Sequence, residues 1–457
     1  MSDETLMLDP PAEFPPAPER GTLPRLLAGI PAHGTMMMTL NDHLAVHGHA
    51  PEHSRRRTRR AESSPLIEQI ERAGLRGHGG AGFPTAVKLR AVAASRKRAV
   101  VVVNAAEGEP ASLKDRTLMQ TLPHLVLDGA QLAAQALGAD ELIVCVCASA
   151  EAGIEATAQA ISERGRLSYD SVRIHLTSVP STYVAGQEAA LVNHLGGGPA
   201  VPTFTPPMVF QQGVRRRPTL VANAETLAHV ALIARHGPDW FRSLGTPSQP
   251  GSALVTLSGV VAHPGVYEIE HGASLVSLIE AAGGTVVNPR ALLVGGYGGS
   301  WIGAEFLRGV ALSDEHLAPH DATLGAGVVL LLSEDACPVA ETARVARWLA
   351  AESAGQCGPC VHGLDALAST VQEIAGGTQA NAAQRIDRLA GLVRRRGACG
   401  HPDGAARFVT SAIAAFGPEF ADHARHGPCE GCARPGELPL PIHRPAPAPS
   451  HEPVSFR

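Results

Sequence analysis

Aromatic side chains are few, 4% of 457 residues with three tryptophans and four tyrosines, and the chain reads as globular, alanine-rich and loop-rich. No charge of one sign prevails: 38 Lys and Arg against 43 Asp and Glu leave a net charge of −5. That excludes the broad basic field needed for nonspecific nucleic-acid binding. Long apolar runs are missing too. The longest unbroken one, Leu142 to Ala148, falls far short of the roughly 18 residues of a membrane helix, and no charged-then-apolar leader opens the chain. A cytoplasmic protein that does not itself span a membrane is expected. Gly (48) and Pro (36) are plentiful, and a prior of roughly 150 residues per domain suggests about three domains.

Cysteine is scarce, eight in all, and its placement is uneven. Cys145 and Cys147 fall in an apolar segment that reads as a buried strand, where cysteine acts as a small hydrophobe. Cys337, alone after the apolar run Val328 to Leu332, is read the same way. The other five form Cys357-Gly-Pro-Cys360, a single Cys399 and Cys429-Glu-Gly-Cys432. Two C-x-x-C pairs in a cytosolic chain point to metal or redox chemistry before disulfides. The 21 histidines lie mostly in extensions and loops and are read as solvated. No spacing of Ser, His and Asp singles out a nucleophilic triad, so no catalytic side chain is assigned.

Composition divides the chain. Residues 1–62, with the basic run Arg55 to Arg60, read as a partly ordered extension with a short helix near Thr39 to His47. From Ser64 to about Gly237, helical and apolar-run segments alternate, the pattern of an α/β layer fold with a parallel sheet. Strands are expected at Arg98 to Val103, Leu142 to Val146 and Val172 to Leu176, with helices at Leu125 to Ala136 and Ala152 to Glu163. Short strands and turn signals from Gly251 to about Leu332 predict a small α+β module, and helical periodicity over 338–420 predicts a bundle. The remainder, rich in proline from Pro439 on, is expected to be disordered.

Gly77-His-Gly-Gly-Ala-Gly82 matches G-x-G-x-x-G, but it follows a helical segment and so fails the context of a dinucleotide turn. Its glycines still permit close backbone approach to a phosphate, with Pro84 at a helix start and Lys88 one turn on. Asn104-Ala-Ala-Glu107-Gly-Glu109 follows a strand, where a parallel sheet places its ligand crevice. Asn can hydrogen-bond a flavin or base edge, and a carboxylate can bind ribose hydroxyls.

Together with Lys114-Asp-Arg116, Tyr183-Val-Ala-Gly-Gln-Glu188, Pro218 to Leu227, Leu257-Ser-Gly, Pro264-Gly-Val-Tyr267 and Gly355-Gln-Cys-Gly-Pro-Cys360, these segments resemble the NADH-binding flavoprotein subunit of NADH:quinone oxidoreductase and related diaphorase subunits over about residues 64–420. The resemblance implies an FMN- and NADH-binding α/β domain at 63–248, a β-grasp soluble-ligand-binding module at 249–335, a helical bundle with an iron–sulfur site at 336–420, and a tail at 421–457. It places FMN on Gly77, Gly79, Gly80, Lys88, Asn104, Tyr183, Gly186, Glu188 and Asn223. NADH falls to Phe83, stacking on adenine, and to Glu107 and Glu109; the cluster falls to Cys357, Cys360 and Cys399. Electrons would pass from NAD(P)H through FMN and the cluster to a partner, either a ferredoxin-like or other iron–sulfur acceptor or a membrane reductase that makes this chain peripheral to the membrane.

Several positions depart from the family pattern. Ala106, Ala222 and Gln187 stand where it has Asp, Asn and Glu. Leu89 replaces Trp and Thr205-Pro-Pro-Met208 replaces Lys-Pro-Pro-Phe, which would remove an aromatic and a cation from the nucleotide cleft. Ala354 replaces the first cluster cysteine, leaving three thiolates for a [4Fe-4S] cluster that normally takes four. A substitute ligand from Cys429, Cys432, His362, His401 or outside, a [3Fe-4S] or open [4Fe-4S] cluster, zinc held by Cys357, Cys360, Cys429 and Cys432, or no metal are the alternatives. The alternative function is a non-catalytic relative that keeps the fold and partner surfaces.

Overall fold

The computed structural model describes residues 22–30, 36–51, 64–377 and 382–441. The basic run at 55–60 and the proline-rich end beyond 441 lie outside these residues.

Four apolar strands build a wholly parallel sheet: β1 (Val100–Ala105), β2 (Glu141–Cys147), β3 (Ile174–Val179) and β4 (Thr219–Asn223), in the order β3-β2-β1-β4. The strand near 172–176 thus begins two residues later than the sequence pattern suggests. β1 is apolar at consecutive positions because helices cover both faces of the sheet. Val101 and Val103 pack into the larger core, and Val100 and Val102 join Ile143, Cys145 and Val221 on the other face. Around the sheet lie α1 (Leu40–His47), α2 (Pro65–Ala73), α3 (Thr85–Ala93), α4 (Lys114–Thr121), α5 (Pro123–Leu137), α6 (Glu151–Arg166), α7 (Glu188–Leu195), α8 (Ala224–His236) and α9 (Pro238–Phe241).

α5 and α8 come to backbone contact at Gly129, where a Cβ would lie 1.7 Å from the Leu227 carbonyl oxygen. Asp128 beside it is fully buried and joins α1, α6 and α8, accepting from His43 (2.8 Å), Arg164 (2.8 Å) and Arg235. Burial opposes its charge, but these three partners hold the Asp128 carboxyl well below the ordinary range.

β5 (Ser252–Gly259), β6 (Gly265–Glu270), β7 (Pro289–Val294), β8 (Ser300–Gly303) and β9 (Val328–Ser333) form a mixed sheet in the order β6-β5-β9-β7-β8. Alternate residues divide its faces. Val255, Leu257, Leu292 and Leu331 pack under α10 (Leu275–Ala281), with α11 (Asp314–Leu317) contributing Leu317 to the same core. Leu293, Leu330 and Leu332 pack against the helical C-terminal part, α12 (Pro338–Ala351), α13 (Leu364–Ala375), α14 (Ala382–Val393), α15 (His401–Ala415) and α16 (Gly417–His426). The expected disorder after about 420 does not hold for residues 421–441: α16 runs to His426, a short turn spans Glu430–Ala433, and Leu438 is buried in the helical core.

Candidate functional site

One cavity of about 790 Å³ opens at the carboxyl ends of β1 and β4 and gathers all twelve residues assigned above to FMN and NADH. Register explains how distant segments meet: Asn104 at the end of β1 pairs directly with Asn223 at the end of β4. Their side chains are also held by protein. The Asn104 amide donates to the Gly186 carbonyl (2.8 Å) and accepts from Ala106 N–H (3.2 Å). Asn223 donates to Asp115 (2.6 Å) and caps α8 by accepting from Glu225 N–H (3.1 Å).

The glycine loop between α2 and α3 is fixed at both ends. Gly77 N–H donates to the Phe83 carbonyl (2.8 Å), Thr85 N–H to the Leu75 carbonyl (2.9 Å), and His78 N–H to the Thr226 hydroxyl (2.9 Å). Gly80 has φ 103°, and a Cβ there would meet no atom within 4 Å, so the loop leaves open space along bare backbone. Lys88, on α3, ion-pairs with Glu188 at the start of α7 (2.9 Å). Phe83, 53% exposed, stands on the cavity rim as a free aromatic face. Gly186 is required where it sits, since a Cβ would fall 2.4 Å from the Ala106 carbonyl oxygen.

The two glutamates differ. Glu107 is spent on structure: it accepts from Ser112 (2.6 Å) and from the Asp115 and Arg116 N–H groups (3.2 and 3.1 Å), closing the start of α4. Glu109 accepts from Tyr297 N–H (2.8 Å) and Ala111 N–H (3.3 Å) and faces the Tyr183 hydroxyl (3.4 Å). Burial raises its carboxyl to about 7, against the lowering effect of those donors.

Sequence reasoning misses a buried ion network under the loop. Lys114 Nζ lies 2.9 Å from both Asp115 and Glu225, and Glu225 also meets His78 Nδ1 (3.1 Å) and accepts from Leu254 N–H of β5 (2.8 Å). Burial works against both charges, yet the carboxylates hold Lys114 above its ordinary value, and His78 and Lys114 hold Glu225 below its own. Lys114 and Glu225 stand within the motifs quoted above, but only the fold shows that they meet.

Three parts of the chain wall the cavity. Gly295, Gly298 and Ala326 of the mixed-sheet part line one side, and Cys399, His401 and Arg407 of the helical part line another. The parts touch at backbone distance, with a Cβ at Gly404 falling 3.0 Å from Gly298 Cα. Tyr183 spans the junction: its N–H donates to Glu352 (2.8 Å), and its ring meets Trp348 edge-on (5.3 Å) and His401 (5.2 Å).

Cys357, Cys360 and Cys399 come together, with Cys360 lying beside both of the other thiols. Cys360 lies in a one-turn π-helical segment, Pro359–Gly363. Three soft thiol donors suit an iron–sulfur group, and residue 354, which the resemblance matches to a cysteine, lies three positions before Cys357. Cys429 and Cys432 do not fold back to this site. They lie with Cys337 and His423, so the four-thiolate zinc set of the two C-x-x-C pairs is not formed; Cys337 is buried in the helical core as expected, with its thiol facing this group. Nor are the histidines generally solvated: His43, His47, His124, His229, His271, His401 and His423 are buried. Leu89, 1% exposed in the core, and Thr205 to Met208 do not line the cavity, so those departures leave it untouched. Gln187 caps α7, accepting from the Ala189 and Ala190 N–H groups (2.8 and 3.0 Å).

Comparison with known proteins agrees with this geometry. Residues 70–232 match the Nuo51 FMN-binding domain, residues 254–300 the SLBB domain, and residues 340–423 the NADH-ubiquinone oxidoreductase-F iron-sulfur binding region. An NADH-quinone oxidoreductase subunit of Rhizobium meliloti (strain 1021) is 32% identical over 378 residues, spanning 80% of this chain and 90% of that protein. The chain belongs to the NADH-quinone oxidoreductase-F family. Another member of the family, from Streptomyces coelicolor, is 31% identical and covers 78% of this chain and 82% of its own. The HndC subunit of the NADP-reducing hydrogenase of Solidesulfovibrio fructosivorans is 29% identical, covering 80% and 77%. Among solved structures, an NAD+-reducing [NiFe]-hydrogenase in the H2-reduced state superimposes with a TM-score of 0.73 at 32% identity. That match covers 82% of this chain and 66% of the hydrogenase chain, so this chain spans about two thirds of its length. The family is one of oxidoreductases, and this member carries its FMN-binding and iron–sulfur parts. Among the described residues, no helix is long and apolar enough to cross a membrane.

Proposed function

We propose that this chain oxidises NADH at the cavity and passes electrons one at a time through the Cys357, Cys360 and Cys399 site to an iron–sulfur acceptor in a partner protein. The carrying observation is that Cys399 and His401 line the same cavity as the glycine loop and Lys88. Entry and exit for electrons are therefore walls of one space.

When bound, FMN accepts a hydride and releases electrons singly, and an iron–sulfur cluster carries them onward. The residues supply position and charge. The bare backbone at Gly77 to Gly80 and the Lys88 ammonium suit a phosphate. Asn104 and Asn223, fixed by their own hydrogen bonds, present rigid amide edges. Phe83 offers a stacking face for a nucleotide base. Glu109, whose burial raises its carboxyl to about 7, presents less negative charge to an incoming dinucleotide than an exposed glutamate would. The departures at Ala106, Ala222 and Gln187 leave these features in place, which supports turnover over a purely structural role. A cytoplasmic location, at a membrane when the partner is a membrane reductase, accords with the lack of a spanning helix among the described residues.

The test is the anaerobic absorption spectrum of the purified full chain before and after NADH, with iron and sulfide assayed on the same sample. Flavin bands bleached by NADH, with iron and sulfide present, are the expected result. A chain that takes up neither flavin nor iron on reconstitution would sink the proposal.

A further inference from the structure

Away from the cavity, Cys337, His423, Cys429 and Cys432 bring four ligand atoms within 4.8 Å of one another. Cys337 caps the start of α12, His423 lies in the last turn of α16, and the cysteine pair follows the reversal at Gly427 (φ 83°). Their spacing is regular: Cys337 Sγ to His423 Nε2 3.4 Å, Cys337 Sγ to Cys432 Sγ 3.4 Å, Cys429 Sγ to Cys432 Sγ 3.8 Å and Cys432 Sγ to His423 Nε2 3.9 Å. A tetrahedron around one zinc ion, with Zn–S about 2.3 Å and Zn–N about 2.0–2.1 Å, has edges of about 3.8 Å between sulfurs and about 3.6 Å between sulfur and nitrogen. A cubane is a poorer match, since each of its irons takes its own ligand and the cluster body holds the sulfurs apart. No disulfide joins Cys337, Cys429 and Cys432 in this structure, so all three thiols are free to ligate.

Two further features mark a built site. His423 Nδ1 faces the Ala375 carbonyl (3.3 Å), the arrangement that fixes a metal-binding tautomer and turns the Nε2 lone pair toward the thiols. Gly431, inside the C-x-x-C turn, passes so close to Cys337 that a Cβ would lie 3.2 Å from its nitrogen and 3.3 Å from its own Cβ.

We infer that Cys337, His423, Cys429 and Cys432 hold one structural zinc ion, which clamps the C-terminal segment onto the helical part. Binding is redox-neutral: zinc enters as the dication and the three thiols give up their protons to solvent. The clamped segment then runs along α12, with the Glu437 and Leu438 N–H groups donating to Glu341 (2.9 and 3.2 Å) and the Arg344 guanidinium donating to the Leu438 carbonyl (2.6 Å). It ends where the Tyr297 hydroxyl donates to the Pro439 carbonyl (2.6 Å), and Tyr297 N–H is the group that holds Glu109 in the cavity. The zinc thus supports the cavity wall from behind.

Metal analysis of the full chain, purified anaerobically and supplied with zinc sulfate, tests this independently of NADH oxidation. One zinc per chain is expected. Cys432→Ser should lose it while keeping iron, sulfide and flavin; His423→Cys should retain it; and Cys399→Ser should lose iron but keep zinc. Zinc-free Cys432→Ser should exchange the Glu437 and Leu438 amide hydrogens at least tenfold faster. A wild type that takes up no zinc, zinc that leaves with Cys399→Ser, or iron in place of zinc at these four residues would overturn the assignment. Unchanged exchange in Cys432→Ser would overturn the clamp.

Discussion

Lys88 is the free end of the cavity's electrostatics. Its ion pair with Glu188 is partly exposed, so the pair contributes little by itself and leaves the ammonium available to a phosphate. Losing one charge-assisted hydrogen bond costs about 1.5–3 kcal/mol, so Lys88→Ala should weaken FMN binding roughly 10- to 100-fold. Flavin content after dialysis measures this, and an unchanged content would refute the phosphate role. Glu109 makes the complementary prediction. Its folded-state carboxyl is raised from 4.5 to about 7, so between those values the folded chain holds a proton that the unfolded chain has lost, and stability falls as pH rises through that window. Glu109→Gln removes this dependence. The thermal midpoint of the variant should rise relative to wild type between pH 5 and pH 8, by a difference worth up to about 3 kcal/mol. Residues whose chemistry lies in consecutive letters, such as Gly77 to Lys88, were legible in the sequence. Glu225 and Lys114 acquire their meaning only where α4, α8, the glycine loop and β5 converge, and no local spacing records that.

Among the elements, the parallel sheet was the most legible because burial on both faces turns its strands into unbroken apolar runs. The later part of the chain was harder to read. The segment after 420 looked like a tail because proline and short-range irregularity dominate it, yet groups far off in sequence hold it: the Glu341 and Arg344 side chains bind the backbone of residues 437 and 438, and Ser333 N–H donates to the Glu437 carboxylate. The histidines misled for a similar reason, since His43 and His423 are buried by partners 85 and 48 residues distant. The α5–α8 contact allows a sharp test. Gly129→Ala would press a methyl into the Leu227 carbonyl, and overpacking of this kind costs about 1–3 kcal/mol or more. A lower thermal midpoint with unchanged metal-to-protein ratio is expected, and an unchanged midpoint would show that the helices yield freely.

At the scale of the whole molecule, the Ala354 position links sequence to cofactor retention. It lies three positions before Cys357, so Ala354→Cys offers a fourth thiol at the position that the resemblance gives to the missing ligand. Reconstituted Ala354→Cys should hold more iron and sulfide than wild type and lose them more slowly in air; equal loss would mean that the fourth corner is already well held. The cavity itself belongs to no single part of the chain. Its floor comes from the parallel sheet, one side from Gly295 to Ala326 and another from Cys399 to Arg407, with Gly298 and Gly404 meeting at backbone distance. A newly made chain therefore has its full set of cavity walls only once its amino-terminal, middle and carboxyl-terminal portions have all been synthesised and docked.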